Sequence, residues 1–219
     1  MTDRLMIFAK APEPGCVKTR LQLPPEEAAE LHAAFVADVV DRHQAKDRVV
    51  TVWRAGDLEH GLWETLPAHL AEQPEGDLGD RMAHAFATEL ALGSAVVVLG
   101  TDSPTLPPRL VAEAFERLKS SSVVVGPACD GGYYLLGLRG DIPLALFAEG
   151  IAWGGGDVLS TTLERLQSAA VDYDLLDFWY DVDRPADLRL LCAHVPTLRD
   201  QGEPIPVRTL EVLTRRGHG

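Results

Sequence analysis

The sequence predicts an α/β protein whose sheet is parallel in its first half and mixed in its second. Three observations carry that prediction. Short β-branched runs recur along the chain, segments with helical periodicity separate them, and the loop after the third run places an aspartate where open α/β sheets bind ligands.

The runs over residues 5–8, 48–53, 95–99 and 123–125 read as strands. Pro24, Pro25, Glu26 and Glu27 open a helix to about residue 42, with prolines at its start, acids in its first turn, and Leu31, Phe35 and Val39 on one stripe. Further helices are expected over 81–92, 108–119, 155–169 and 185–193. Residues 133–138 read as a strand and 171–180 as a last strand-like region. From about residue 197 the expectation is a loop, a terminal helix over 207–213 and a frayed basic tail. No repeat or long linker divides the 219 residues, so one domain is expected, with a core over about 4–195 and an extension over about 196–219.

Twenty Lys and Arg against 33 Asp and Glu give a net charge of −13, and 46% of the residues are hydrophobic. That balance suits a protein with a full core and argues against nucleic acid and anionic membrane surfaces, which select basic faces. Cys16, Cys129 and Cys192 are far apart, which fits neither a disulfide framework nor structural zinc and suits a reducing cytoplasm. The first apolar run is too short for a signal sequence or a membrane span. The seven histidines show no metal-ligand spacing and read as surface or core residues.

Against this acidic background residues 8–21, FAKAPEPGCVKTRL, stand out. Lys10, Lys18 and Arg20 share one turn after the first strand. Pro12 and Pro14 restrict φ, and Gly15 lets backbone approach a ligand, so the three cations are expected to line one wall and meet phosphate oxygens. A solvated surface turn explains the same letters. In AVVVLGTDSP, residues 95–104, Asp102 follows the strand and is either a Mg²⁺ ligand or a turn former. In DVDRPADL, residues 181–188, Pro185 and Asp187 have structural reasons to open a helix. Asp181 and Asp183 crowd like charge in front of it, as cation ligands or, for Asp183, as a cap. In GPACDGGYYLLGL, residues 126–138, Asp130, Gly131 and Gly132 form a tight turn whose amides face a ligand or close a hairpin, and Tyr133 and Tyr134 are candidates to stack on a base or sugar. Gly76, Asp77 and Gly79 precede a helix whose N-terminal amides suit an anion.

These five segments in this order, FAKAPEPGCVKTRL, GDLGDRM, GTDSP, GPACDGGYYLLGL and DVDRPADL, resemble an uncharacterised family of the nucleotide-diphospho-sugar transferase superfamily. Its members are often labelled glycosyltransferases or radical-SAM and selenodomain-associated transferases. More distantly the chain is similar to 2-phospho-lactate guanylyltransferase, through Lys10 and the run Lys18, Thr19, Arg20, Leu21, and to molybdenum-cofactor guanylyltransferase. The resemblance implies a GT-A fold, a three-layer α/β/α sandwich with a mixed sheet, and carries the two metal-binding acids onto Asp102 and Asp183. The Asp-x-Asp pair of many sugar transferases is absent. The sequence Trp153, Gly154, Gly155, Gly156 replaces a Trp-Ser-Thr type run on the acceptor side.

The expected activity is nucleotidyl transfer from a nucleoside triphosphate to a small phosphorylated or hydroxyl acceptor, with Mg²⁺ or Mn²⁺ as cofactor. The alternatives are glycosyl transfer from a nucleotide-sugar and nucleotide binding without turnover. Lys18, Arg20, Asp102 and Asp130 are the catalytic candidates, Asp130 as the base near an acceptor. Lys10, Gly15, Lys18, Thr19, Arg20, Gly76, Asp77, Gly131 and Gly132 are the nucleotide-binding candidates.

Overall fold

The computed structural model describes residues 2–148 and 150–217. Its order is β1 (Thr2–Lys10), α1 (Pro25–Arg42), β2 (Arg48–Ala55), β3 (His69–Glu72), α2 (Leu78–Leu90), β4 (Gly93–Leu99), α3 (Pro108–Arg117), β5 (Val123–Pro127), β6 (Tyr133–Arg139), α4 (Val158–Ser168), β7 (Tyr173–Leu175), α5 (Pro185–Asp200) and α6 (Val207–Arg215). The strands form a seven-stranded sheet in the order β3-β2-β1-β4-β6-β5-β7. Strand β6 runs antiparallel to β4 and β5, and the other pairings are parallel, which is the mixed sheet the second half of the sequence predicts.

Alternation along the strands divides the core into two faces. Leu5, Ile7, Val97 and Leu99 face α1 and α3, through Val36, Val40, Leu110 and Ala114. Met6, Val96, Val98, Val125 and Leu136 face α2 and α4, through Met82, Phe86 and Leu166. Each large apolar side chain buried this way stabilises the fold by about 1.5–3 kcal/mol. The result is an α/β/α sandwich. Because β1 lies between β2 and β4, the connections leave it in opposite directions and open a crevice at the carboxyl ends of β1 and β4.

Several boundaries differ from the sequence expectation, each for a physical reason. Strand β3 has no β-branched residue to announce it and rests on pairing with β2, Thr51 to His69 through Arg54 to Glu72. Helix α2 begins at Leu78 rather than 81, because Asp77 and Asp80 close a reciprocal cap on its first turn. Helix α4 begins at Val158, after the glycine run. Helix α5 continues through Pro196 to Asp200. Burial of Val195 and Leu198 beyond the expected end offsets the roughly 3 kcal/mol that an interior proline costs.

After α5 the expected terminal helix is present as α6, and the basic residues at its end are held rather than frayed. Leu31, Ala34 and Phe35 of α1, Leu188, Leu191 and Val195 of α5, and Val212 and Leu213 of α6 form a third apolar cluster. Asp38 of α1 accepts the backbone N–H groups of Arg208 and Thr209 at 3.1 and 2.8 Å, capping α6 from outside it. Arg215 and Arg216 pair with Glu30 at 2.8 and 2.6 Å. None of the three cysteines forms a disulfide. Among the described residues no helix is long and apolar enough to cross a membrane.

Candidate active site

Strand β1 delivers the chain into a tight loop in which Cys16 N–H bonds to Glu13 O at 3.0 Å and Gly15 takes φ of +77°. A single 3₁₀ turn over Thr19–Leu21 follows, entered by Lys18 at φ +48° and left by Gln22 at φ +60°. Left-handed backbone at two non-glycine residues costs on the order of 1 kcal/mol each and persists only where neighbours fix it. At Lys18 the neighbours are visible. Its ammonium lies 2.5 Å from Asp102 Oδ1, donates to Asp183 Oδ1 at 3.0 Å and to the carbonyl of Val182 at 2.8 Å, and stands 5.1 Å from the centre of the Phe35 ring. The Lys18 side chain is 3% exposed.

The two acids come from separate chain segments that meet at the crevice. Asp102 follows β4. Asp183 arrives on a segment that prolongs β7 towards the cleft, where Trp179 N–H bonds to Pro127 O at 3.1 Å and Cys129 N–H to Trp179 O at 3.0 Å. Val182 N–H then donates to Asp102 O at 2.8 Å and fixes one segment on the other. Asp183 does not cap α5. That task falls to Asp187, which accepts the N–H groups of Asp183 and Arg184 at 3.1 and 2.8 Å.

The electrostatics follow from this contact. Burial alone raises a carboxyl group, yet the adjacent Lys18 ammonium prevails and holds Asp102 below the usual carboxylate range. Burial lowers a lysine, and here Asp102 and Asp183 outweigh it and hold Lys18 above its ordinary value. Asp181 lies on the same segment without a cation. Burial pushes it up to about 7, Asp102, Asp130 and Asp183 add to the rise, and a hydrogen bond from the Ser103 hydroxyl opposes it.

A cleft of about 390 Å³ opens over this acid pair. Its charged side carries Lys18, Thr19, Arg20, Asp102, Asp130, Asp181 and Asp183, and its apolar side Leu78, Tyr133, Trp153 and Val158, with Gly132, Gly154 and Gly155 between. Arg20 is 63% exposed and reaches Asp183 Oδ2 only at 4.0 Å, so among the lining residues it is the cation that faces solvent. Asp130 turns one oxygen onto Gly132 N–H at 2.9 Å.

Other sequence candidates lie elsewhere. Lys10 does not line the cleft. Its ammonium donates to Cys16 O at 3.2 Å and braces the loop, so the three cations do not share one wall. Gly15 serves the turn. Asp77 caps α2, and Gly76 sits against Asp80, where a Cβ would come within 2.8 Å. Gly131 is a packing glycine, since a Cβ there would lie 1.9 Å from Gly156 O, and its own carbonyl accepts Leu159 N–H at 2.9 Å. Tyr134 is buried and donates to Asp177 O at 2.9 Å, which leaves only Tyr133 at the cleft. Leu78 and Val158 carry no sequence signal as ligand contacts, whereas Trp153 lies in the glycine run expected on the acceptor side, and Gly79 gives its indole room, a Cβ there being 2.7 Å from Nε1.

The family described as an uncharacterized protein conserved in bacteria, DUF2064, matches residues 36–155. The chain belongs to that family. Among solved structures, a Desulfovibrio desulfuricans G20 protein carrying a provisional nucleotide-diphospho-sugar transferase label is 31% identical, with a TM-score of 0.85 over 100% of this chain and 99% of that one. CMP:2-keto-3-deoxy-manno-octonic acid synthetase, in complex with CTP, is similar at 14% identity and a TM-score of 0.60, covering 90% of this chain and 99% of the other. The 4-diphosphocytidyl-2C-methyl-D-erythritol synthase of Anaerococcus prevotii DSM 20548 is similar at 8% identity and a TM-score of 0.53, over 82% and 89%. At those identities the last two speak for the fold alone. No curated protein matches the sequence.

Proposed function

We propose that this DUF2064 chain is a cytoplasmic, metal-dependent transferase that binds a nucleotide and moves a nucleotidyl group from a nucleoside triphosphate to a small phosphorylated or hydroxyl acceptor. The observation that carries the reading is the convergence of Asp102 and Asp183 on one point at the crevice, beside solvent-facing Arg20. The 31% identical relative with its transferase label, and the synthetase solved with CTP on the same fold, support it.

The charge balance of the cleft supports metal dependence. Asp102, Asp130, Asp181 and Asp183 face only Lys18 and Arg20, and Lys18 is already engaged, so a bare polyphosphate meets net repulsion. The donor set fits Mg²⁺ or Mn²⁺: two hard carboxylates meet at one ammonium, and their side chains remain 47% and 32% exposed. Among the described residues no three His, Cys, Asp or Glu side chains form a ready-made cage, so phosphate and water would complete the coordination. Such an ion supplies Lewis-acid charge at the phosphate oxygens.

In the reaction, an acceptor oxygen attacks the α-phosphorus, the bond to the bridging oxygen breaks, and pyrophosphate leaves with that electron pair. Arg20 meets charge on the leaving group, Asp102 and Asp183 would hold the divalent ion that offsets the repulsion of the phosphates, and Asp130 takes the proton of a hydroxyl acceptor with the oxygen not committed to Gly132. The apolar side at Trp153 and Tyr133 seats the flat or apolar part of a substrate. Positioning and electrostatics suffice for this chemistry, without a covalent nucleophile.

Glycosyl transfer from a nucleotide-sugar is the second reading, and one observation favours it. With Lys10 away and Lys18 engaged, the cleft offers a single solvent-facing cation among its lining residues, which suits a diphosphate leaving group better than a triphosphate donor. Product analysis decides. Nucleoside triphosphate with Mg²⁺ and acceptor should release pyrophosphate, and release of nucleoside diphosphate from a nucleotide-sugar instead would replace the first reading by the second.

A further inference from the structure

We propose that Lys18 is the cleft's own counter-cation. Its ammonium stands between the carboxylates that would hold the divalent ion, so free metal binds weakly and enters together with the nucleotide. This rests on the reading of Asp102 and Asp183 as metal ligands. It changes the role of Lys18 from a phosphate contact to a positioning residue that controls when the metal site becomes available.

Three observations on this side chain carry the inference. The acceptors Asp102, Asp183 and the Val182 carbonyl, at 2.5, 3.0 and 2.8 Å, use all three N–H donors of the ammonium. The side chain is 3% exposed and stands against the Phe35 ring, so it cannot also reach into the cleft for a phosphate in this arrangement. The backbone at Lys18 is held at φ +48°, a conformation that the contacts of its own side chain help to maintain. A lysine whose task was to greet a phosphate has no need of such enclosure, as Arg20 two residues on shows by standing in solvent.

The consequence is electrostatic. Two carboxylates this close repel one another and attract any cation. With the ammonium in place much of that attraction is cancelled, and a divalent ion arriving alone must compete with a unit charge a few ångströms away. A nucleotide triphosphate or diphosphate shifts the balance, because its phosphates bring metal ligands and offer the ammonium other acceptors. Metal and nucleotide are therefore expected to bind with positive coupling, each raising the affinity for the other by the same factor.

The test is Mn²⁺ binding without nucleotide, read by the electron paramagnetic resonance of the free ion, on wild type and Lys18→Met. The variant should bind one Mn²⁺ at least about tenfold more tightly, because an unneutralised acid pair replaces a neutralised one. Equal or weaker binding overturns the proposal. The gain should vanish in Lys18→Met combined with Asp183→Asn, and a gain that survives places the ion elsewhere and also overturns it. If Lys18→Met is unfolded without metal, Mn²⁺ alone should restore its near-ultraviolet circular dichroism, since the ion then does what the ammonium did. No restoration at millimolar Mn²⁺ counts against it. Pyrophosphate release by the wild type is scored separately, so tighter Mn²⁺ binding with no nucleotidyl transfer would sustain the inference while removing the reaction.

Discussion

Asp38 and the pair Asp102 and Asp183 are the same residue type in two settings. Asp38 is 5% exposed, and each of its oxygens accepts a backbone amide at the start of α6. The pair shares one ammonium and keeps much of its carboxylate surface open to the cleft. Saturation by fixed amides leaves a carboxylate with structural work only, whereas neutralisation by a side chain leaves room for a ligand to compete. Burial raises Asp38 even though the amides of Thr209 and Arg208 oppose it, and beside Lys18 the ammonium overcomes burial and lowers Asp102.

Asp102→Asn should reduce kcat/KM by about 10²–10³-fold, the scale for losing a preorganised electrostatic contact, while far-ultraviolet circular dichroism stays native. Activity within a few-fold of wild type would remove Asp102 from the chemistry. Asp38→Ala should do the reverse. Two amides lose a buried anionic cap, so urea denaturation should show a loss of about 2–3 kcal/mol with an unchanged slope and an unchanged rate per folded molecule. An activity loss without a stability loss would invert the contrast.

The sequence distinguished these settings only in part. Asp102 was legible because a strand of unbroken apolar residues runs into Gly100 and stops, and Asp183 only in part, because its crowding with Asp181 suits cation ligands while a helix cap explains the same residue. Asp38 sits inside an ordinary helical stretch, and its partners lie 170 and 171 positions away, a separation no local pattern encodes. The alternation of strands and helices announces the sheet and the change to a mixed second half, because burial on both faces writes itself into composition, while the hairpin at residues 130–132 stood only as one of two readings. It missed β3, whose four residues pair without β propensity, and the end of α5, where packing overrides Pro196. In the basic loop the charges were legible and their directions were not. Lys18 turns inward to the acids, a choice set by its positive φ and by a chain segment more than 160 residues downstream, and Lys10 turns back to the carbonyl of Cys16 in its own loop.

Arg20 sharpens the contrast within that loop. Arg20→Ala should weaken nucleotide binding by about 1–3 kcal/mol, the range for one charge-assisted partner, and leave the melting temperature unchanged because the side chain stands in solvent. Isothermal titration with the nucleotide and Mg²⁺ reads the first effect and calorimetric melting the second. Unchanged affinity would exclude Arg20 as the phosphate contact.

The uncompensated acid offers a smaller effect, in pH. Folded Asp181 keeps its proton up to about 7 and the unfolded chain releases it near the ordinary aspartate value of 3.8, so between those limits the folded state holds more protons and stability falls as pH rises. Buried His43, held near 3, acts in the opposite sense below the ordinary histidine range, so the difference between variants is the readable quantity. In metal-free buffer, Asp181→Asn should gain a few degrees of melting temperature over wild type near neutrality and little near pH 4.5. A gap independent of pH would mean that Asp181 is ionised throughout.

The smallest effect is expected at Lys10, and it separates the two lysines that sequence alone treats as equivalents. Lys10 is exposed, among the described residues its ammonium bonds to Cys16 O alone, at 3.2 Å, and it is absent from the cleft lining. An exposed hydrogen bond of that kind contributes well under about 1 kcal/mol, since water replaces the donor when it is lost. Lys10→Ala should therefore shift urea stability by less than about 0.5 kcal/mol and nucleotide affinity by less than about twofold. Lys18→Met, by contrast, leaves two carboxylates facing each other without their cation. If Lys10→Ala instead weakens nucleotide binding tenfold, the loop rearranges on binding to bring Lys10 over the phosphates.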